Sequence, residues 1–123
     1  TFTIRENAHW SNGDPVTAHD FVYAWRRILS PGLAAEYAYM LYPLKNAEAY
    51  HSGAISDFGE VGAEAVDEKT LRVTLRAATP YFLSLHTHFT WYPVHRATIE
   101  AFGRIDERDT PWTRPESYVG NVP

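Results

Sequence analysis

No cysteine occurs among the 123 residues, and there is a single methionine. The chain therefore has no disulfide, no thiolate metal ligand and no cysteine nucleophile. That absence does not fix a compartment, since exported proteins can also lack cysteine. A basic excess is missing too. Eleven Lys and Arg face fifteen Asp and Glu, for a net charge of −4, and the two signs are interspersed. Nucleic-acid binding, which calls for a basic patch, is not expected. No apolar run approaches the ~20 residues that a membrane span needs, and no signal-peptide pattern occurs. A Gly-x-Ser-x-Gly nucleophile turn is absent. Ser11, Ser52, Ser84 and Ser117 sit in turn, loop or helix contexts. Gly59, Gly62 and Gly103 form no phosphate-cradling pattern. An enzyme is not expected.

The chain has 45% hydrophobic and 21% charged residues, which is a globular balance at one-domain length. Aromatics reach 15%, with eight Tyr and four Trp. Such side chains fill cores and also line clefts, because Tyr and Trp join a large apolar face to a polar tip. The chain opens with Thr1 inside a strand-like run and stops at Gly120-Asn121-Val122-Pro123 with no closing element. It is expected to be an excised piece of a longer protein, so missing targeting signals carry no information.

Trp10 to Leu29 is the most informative stretch. Ser11-Asn12-Gly13-Asp14-Pro15 concentrates turn formers. Thr17 and Asp20 have the spacing of a capping box, which predicts a helix from Ala18 to Leu29, stopped by Pro31-Gly32. Phe21, Trp25, Ile28 and Leu29 form its apolar stripe, with His19, Asp20, Arg26 and Arg27 expected on a solvated face. Phe2 and Ile4 alternate as in a half-buried strand. Ala34 to Tyr50 reads as one helix broken at Pro43 or as two shorter ones. Val61–Val66 and Thr70–Arg76 flank the polar turn Asp67-Glu68-Lys69 and predict a β-hairpin, with Leu71, Val73 and Leu75 facing the core. Thr79-Pro80 opens a short helix through Leu85, Pro80 sitting in its first turn. A further helix runs from Val94 or His95 to Phe102, before a polar, Pro-rich tail.

Two features invite a chemical reading. His86 and His88 would share a face if the segment were a strand and could then ligate a metal, with His95 nearby. The plainer reading is polar histidines at a loop or cleft surface. Phe82, Phe89, Trp91 and Tyr92 beside His88 form either a ligand-facing wall or ordinary core.

Several segments then agree with one family at once: RENAHWSNGDPVTAHDFVYAWRRIL, VGAEAVDEKTLRVTL, TPYFLSL, YPVHRATIEAFG and WTRPESYVGN. In order and spacing the whole chain resembles the extracytoplasmic oligopeptide-binding proteins of ABC importers, within the peptide/nickel class. The resemblance implies an α/β (α+β) fragment, residues 1–123 being a single partial domain from the first lobe of a two-lobed binding protein. It implies oligopeptides as ligand, held extended and mainly by main-chain hydrogen bonds. It further implies delivery to ABC permease subunits, no cofactor, and a periplasmic or lipid-anchored extracytoplasmic location. Tyr37, in AAEYAYML, matches a family tyrosine reaching the cleft. His88, in SLHTHFTWYPV, matches a cleft histidine. Trp91 and Tyr92 enter as their neighbours. The acid that clamps the peptide's amino terminus in the family is not in this chain, and Val122-Pro123 departs from the family's Gly-Ala-aromatic continuation. Binders of dipeptides, nickel, haem or opines are rivals within the family. From other classes the rivals are a metal-dependent hydrolase using His86 and His88, and a sensor or chaperone that kept the fold. The isolated piece is expected to self-associate through exposed edges and apolar surface.

Overall fold

A three-stranded antiparallel sheet forms the base of the fold, with β3 (Thr70–Val73) between β1 (Phe2–Thr3) and β2 (Ala63–Ala65). The architecture was obtained as a computed structural model, and the described residues are 1–117. The closing segment with its Gly120-Asn121-Val122-Pro123 departure lies outside them. Phe2 pairs with Leu71, and Ala65 pairs with Leu71 from the other side. The hairpin follows from strict alternation. Leu71 is buried, Val73 and Leu75 pack partly against the core, and Arg72, Thr74 and Arg76 are exposed.

Both hairpin strands are shorter than the alternation suggested. Thr74 N–H donates to Gly62 O at 2.9 Å, while Thr74 O accepts from Lys45 N at 2.9 Å. The Pro43–Lys45 segment thus adds a second partner beyond Val73, with Arg76 N–H donating to Pro43 O and Leu44 bridging Leu75. A Cβ on Gly62 would lie 2.0 Å from Thr74 O, so only glycine permits this approach.

Helix α1 (Ala18–Leu29) lies across the sheet, with the bounds its capping signals foretell. Thr17 and Asp20 form the reciprocal capping box. Trp25 and Leu29 are fully buried, whereas Phe21 and Ile28 are half-buried. Two expectations for the opposite face need correction. Asp20 is 9% exposed and accepts from Thr17 N (2.9 Å) and Trp10 Nε1 (3.2 Å), so it ties the turn to the helix. Arg27 is half-buried, donates to the Ile105 carbonyl and lies over the Trp112 ring at 6.0 Å. Tyr23 is also buried, under the Arg96 guanidinium at 5.6 Å.

Ala34 to Tyr50 resolves into two short pieces, a 3-10 turn at Ala38–Leu41 and helix α2 (Ala47–His51). Asn46 separates α2 from what precedes it by taking a left-handed conformation, φ 59°. Helix α3 (Phe82–Leu85) begins after Tyr81, so Pro80 stands before the helix rather than in its first turn. A 3-10 turn at Phe89–Trp91 leads to α4 (Arg96–Glu100), which is capped by His95 Nδ1 accepting from Thr98 N. The core joins Trp25, Leu41, Leu44, Leu71, Phe82 and Trp91 with smaller neighbours. Trp25 Nε1 donates to Trp91 O at 3.1 Å, linking α1 to the aromatic turn. No helix among the described residues is long and apolar enough to cross a membrane.

Candidate functional site

Two 3-10 turns far apart in sequence meet beside α1 and bring Tyr37 and His88 together. Tyr37 precedes the turn Ala38–Leu41 and His88 precedes the turn Phe89–Trp91. Their ring centroids are 5.4 Å apart. Phe89 stands edge-on to Tyr37 at 5.8 Å and 89° and lies 4.2 Å from His88. Tyr39 adds a fourth ring, 6.3 Å from Tyr37. Burial separates these rings from the core: Tyr37 is 44% exposed, Tyr39 57%, Phe89 63% and Tyr92 54%. These rings gather in one place, whereas Tyr81 (61%) and Phe102 (38%), the other large rings left exposed among the described residues, belong to other segments.

His88 is held in one orientation. Its Nδ1 accepts from Thr90 N at 3.3 Å and pairs with the Thr90 hydroxyl at 2.9 Å, and Thr90 itself is buried. In the neutral ring the proton then resides on Nε2, which leaves a donor for a guest carbonyl. Tyr37 offers a phenol that donates or accepts. Tyr92 donates to Thr87 O at 3.3 Å, which braces the loop while its ring stays exposed.

The four-residue aromatic group read from the sequence is split by the fold. Phe89 and Tyr92, three residues apart, both face out, in keeping with the three-residue repeat of a 3-10 turn. Phe82 (8% exposed) and Trp91 (1%) are core. The expectation of Trp91 as a ligand-facing residue is therefore corrected. Its ring packs edge-to-face on Trp25 at 5.2 Å and on Phe82 at 5.5 Å. Tyr39 was not singled out from the sequence. Its placement two residues from Tyr37, in a short turn whose buried residues are Ala38 and Leu41, is the signal that was available.

The histidines do not form a metal cluster. His86 and His88 are not in a strand and do not share surroundings. The His86 ring packs against Phe82 and Trp91 at 4.7 Å each, and its Nδ1 donates to Phe82 O at 3.1 Å. Burial holds the His86 imidazole below its ordinary pKa, and the bond to Phe82 opposes that only in part. His95 Nε2 pairs with Asp14 at 2.7 Å. Among the described residues no group of three or more His, Asp or Glu could hold a metal ion. A polar surface cavity of about 500 Å³ lies elsewhere, at the outer hairpin strand, lined by residues including Lys45, Asn46, Glu60, Glu64 and Arg72. It contains none of the aromatic patch.

Over residues 1–123 the chain matches the family described as "Bacterial extracellular solute-binding proteins, family 5 Middle". The chain belongs to this family of bacterial extracellular solute-binding proteins. Among its relatives, the oligopeptide-binding protein OppA of Bacillus subtilis (strain 168) is 43% identical over all of this chain and 22% of its own length. The dipeptide-binding protein DppE of the same organism is also 43% identical, over all of this chain and 21% of its own. Among solved structures, Haemophilus influenzae OppA in complex with RPPGFSPFR superposes with a TM-score of 0.83 at 40% identity, covering 95% of this chain and 22% of that one. The chain thus spans about a fifth of the length of the family relatives it matches.

Proposed function

We infer that this chain is part of a peptide-binding protein that serves an ABC importer, and that the Tyr37–His88 patch is its contribution to the ligand cleft. The observation that carries this is the meeting of Tyr37 and His88 at 5.4 Å on an exposed surface. The two come from turns about fifty residues apart, and each offers a hydrogen-bonding group to a guest. Tyr92 flanks them. The relatives named for oligopeptides and dipeptides point the same way. In this reading the parent has two lobes that close on an extended peptide held mainly through main-chain hydrogen bonds. That mode tolerates any sequence, because every peptide has the same backbone. The protein is non-enzymatic, works outside the cytoplasmic membrane in the periplasm or on a lipid anchor, and hands peptides to membrane permease subunits.

Calorimetry on the full-length parent with a mixed peptide library tests the reading. Heat with peptides of two to six residues is expected, and the series decides between dipeptide and oligopeptide preference. The double variant Tyr37→Ala/His88→Ala should weaken binding at least tenfold, about 1.4 kcal/mol. Heat with nickel or haem but with no peptide would overturn it.

A further inference from the structure

The exposed patch is more than a support for a peptide backbone. Hydrogen bonds to main-chain groups need a phenol, an imidazole or an amide, and Tyr37 and His88 supply two of these. Phe89 has no polar atom to offer, yet it is 63% exposed. It meets Tyr37 edge-to-face, at 5.8 Å and 89°, and that contact still leaves most of the ring to solvent. The His88 ring lies against one face of Phe89, at 4.2 Å and 32°, and is held there by its Nδ1 bonds to Thr90, so the exposed part of Phe89 is the side away from His88. Tyr39, 57% exposed, extends the same surface beyond Tyr37. The ion pairs of the described residues lie elsewhere and include no member of this cluster. The surface is therefore preformed and made of rings. A guest ring gains from offset or edge-to-face stacking beyond what its area alone gives.

We propose that Phe89 is a specificity-determining residue that, with Tyr37 and Tyr39, forms a subsite for an aromatic side chain of the bound peptide. This rests on the peptide-binding reading above, and it adds a sequence preference to a site whose main-chain contacts have none.

The test uses the full-length parent and a set of tripeptides: trialanine, and alanine peptides carrying one Phe, Leu or Arg at position 1, 2 or 3. For wild type, at least one Phe peptide should bind roughly tenfold tighter than trialanine, the upper range for one aromatic pair, and tighter than its Leu and Arg counterparts. In Phe89→Ala the Phe-to-Ala affinity ratio should fall to within about twofold of unity. Phe89→Leu, which keeps apolar bulk without a ring, should lose the preference for Phe over Leu. Equal binding of all peptides by wild type would overturn the subsite and leave the peptide-binding reading intact. So would an Arg preference, which would make the rings a cation site, or a Phe preference that survives Phe89→Ala. A lowered Tm in Phe89→Ala with unchanged selectivity would assign the patch to contact with the rest of the parent, and would also overturn the proposal. Failure of every peptide to bind wild type would remove the peptide-binding reading itself, and the subsite with it.

Discussion

Helix α1 and the segment from His86 to Tyr92 are both rich in aromatic side chains, and they place them differently. In α1 the rings are covered: Trp25 is fully buried, Tyr23 nearly so and Phe21 half-buried. In the later segment Trp91 goes inward while Phe89 and Tyr92 stay out. The two regions touch through Trp25 and Trp91, whose rings meet at 5.2 Å and whose hydrogen bond fixes one turn to the other. One region holds the fold together, and the other uses that rigidity to present a surface. The difference shows that aromatic content alone does not identify a binding face. What the fold adds is which rings the backbone leaves uncovered once the core is complete.

The sharpest way to break that comparison is to truncate one ring from each side. Trp25→Ala removes a fully buried side chain and its bond to Trp91 O. It should cost about 3–5 kcal/mol in urea denaturation followed by fluorescence. Phe89→Ala removes an exposed ring and should change stability by no more than about 0.5 kcal/mol. Similar costs for the two would abolish the distinction between scaffold and surface. A smaller effect is expected at the entrance to α1. Asp20→Ala removes both the capping-box acceptor and the partner of Trp10 Nε1. Its expected cost is about 2 kcal/mol, combining a lost cap and an unpaired buried donor. A loss under about 0.5 kcal/mol would show that Asp20 is a surface acid after all, as the helix pattern alone suggested.

That last point shows where sequence reasoning reached and where it stopped. The bounds of α1 were legible because Thr17, Asp20 and the Pro31-Gly32 stop are local signals. The alternation of Leu71, Val73 and Leu75 was legible for the same reason. The fate of Asp20 and Arg27 was not, because each is buried by residues distant from its own helical turn, Trp10 and the Ile105–Trp112 region. The pairing beyond β3 was not legible either, because Pro43–Lys45, far back in the chain, takes the Thr74 carbonyl and the Arg76 N–H. At the site, Tyr37 and His88 came from family resemblance, and the fold brought them together. Sorting Trp91 from Phe89 needed the geometry of a 3-10 turn, which a short aromatic run without periodicity does not announce.

His86 sits on the seam between the two regions and offers a finer probe of it. Its imidazole packs against Phe82 and Trp91, with Phe2 at 5.5 Å and Trp25 at 6.3 Å, so protonation would put charge on a half-buried ring among aromatic neighbours. Burial lowers its folded-state pKa below 6.5. The unfolded chain therefore binds a proton at higher pH than the folded one does, and stability must fall with pH across that gap. The contribution is fully present above pH 6.5 and is lost progressively as pH drops through the lowered folded value. His86→Gln removes the titration. Thermal melts between pH 7.5 and 5.0 should show wild type losing stability below about 6.5 more steeply than the variant, while both keep the same trend above it. Parallel curves throughout would mean that the His86 ring is solvated enough to accept a proton freely. The aromatic turn would then be less tightly joined to α1 than the ring distances indicate.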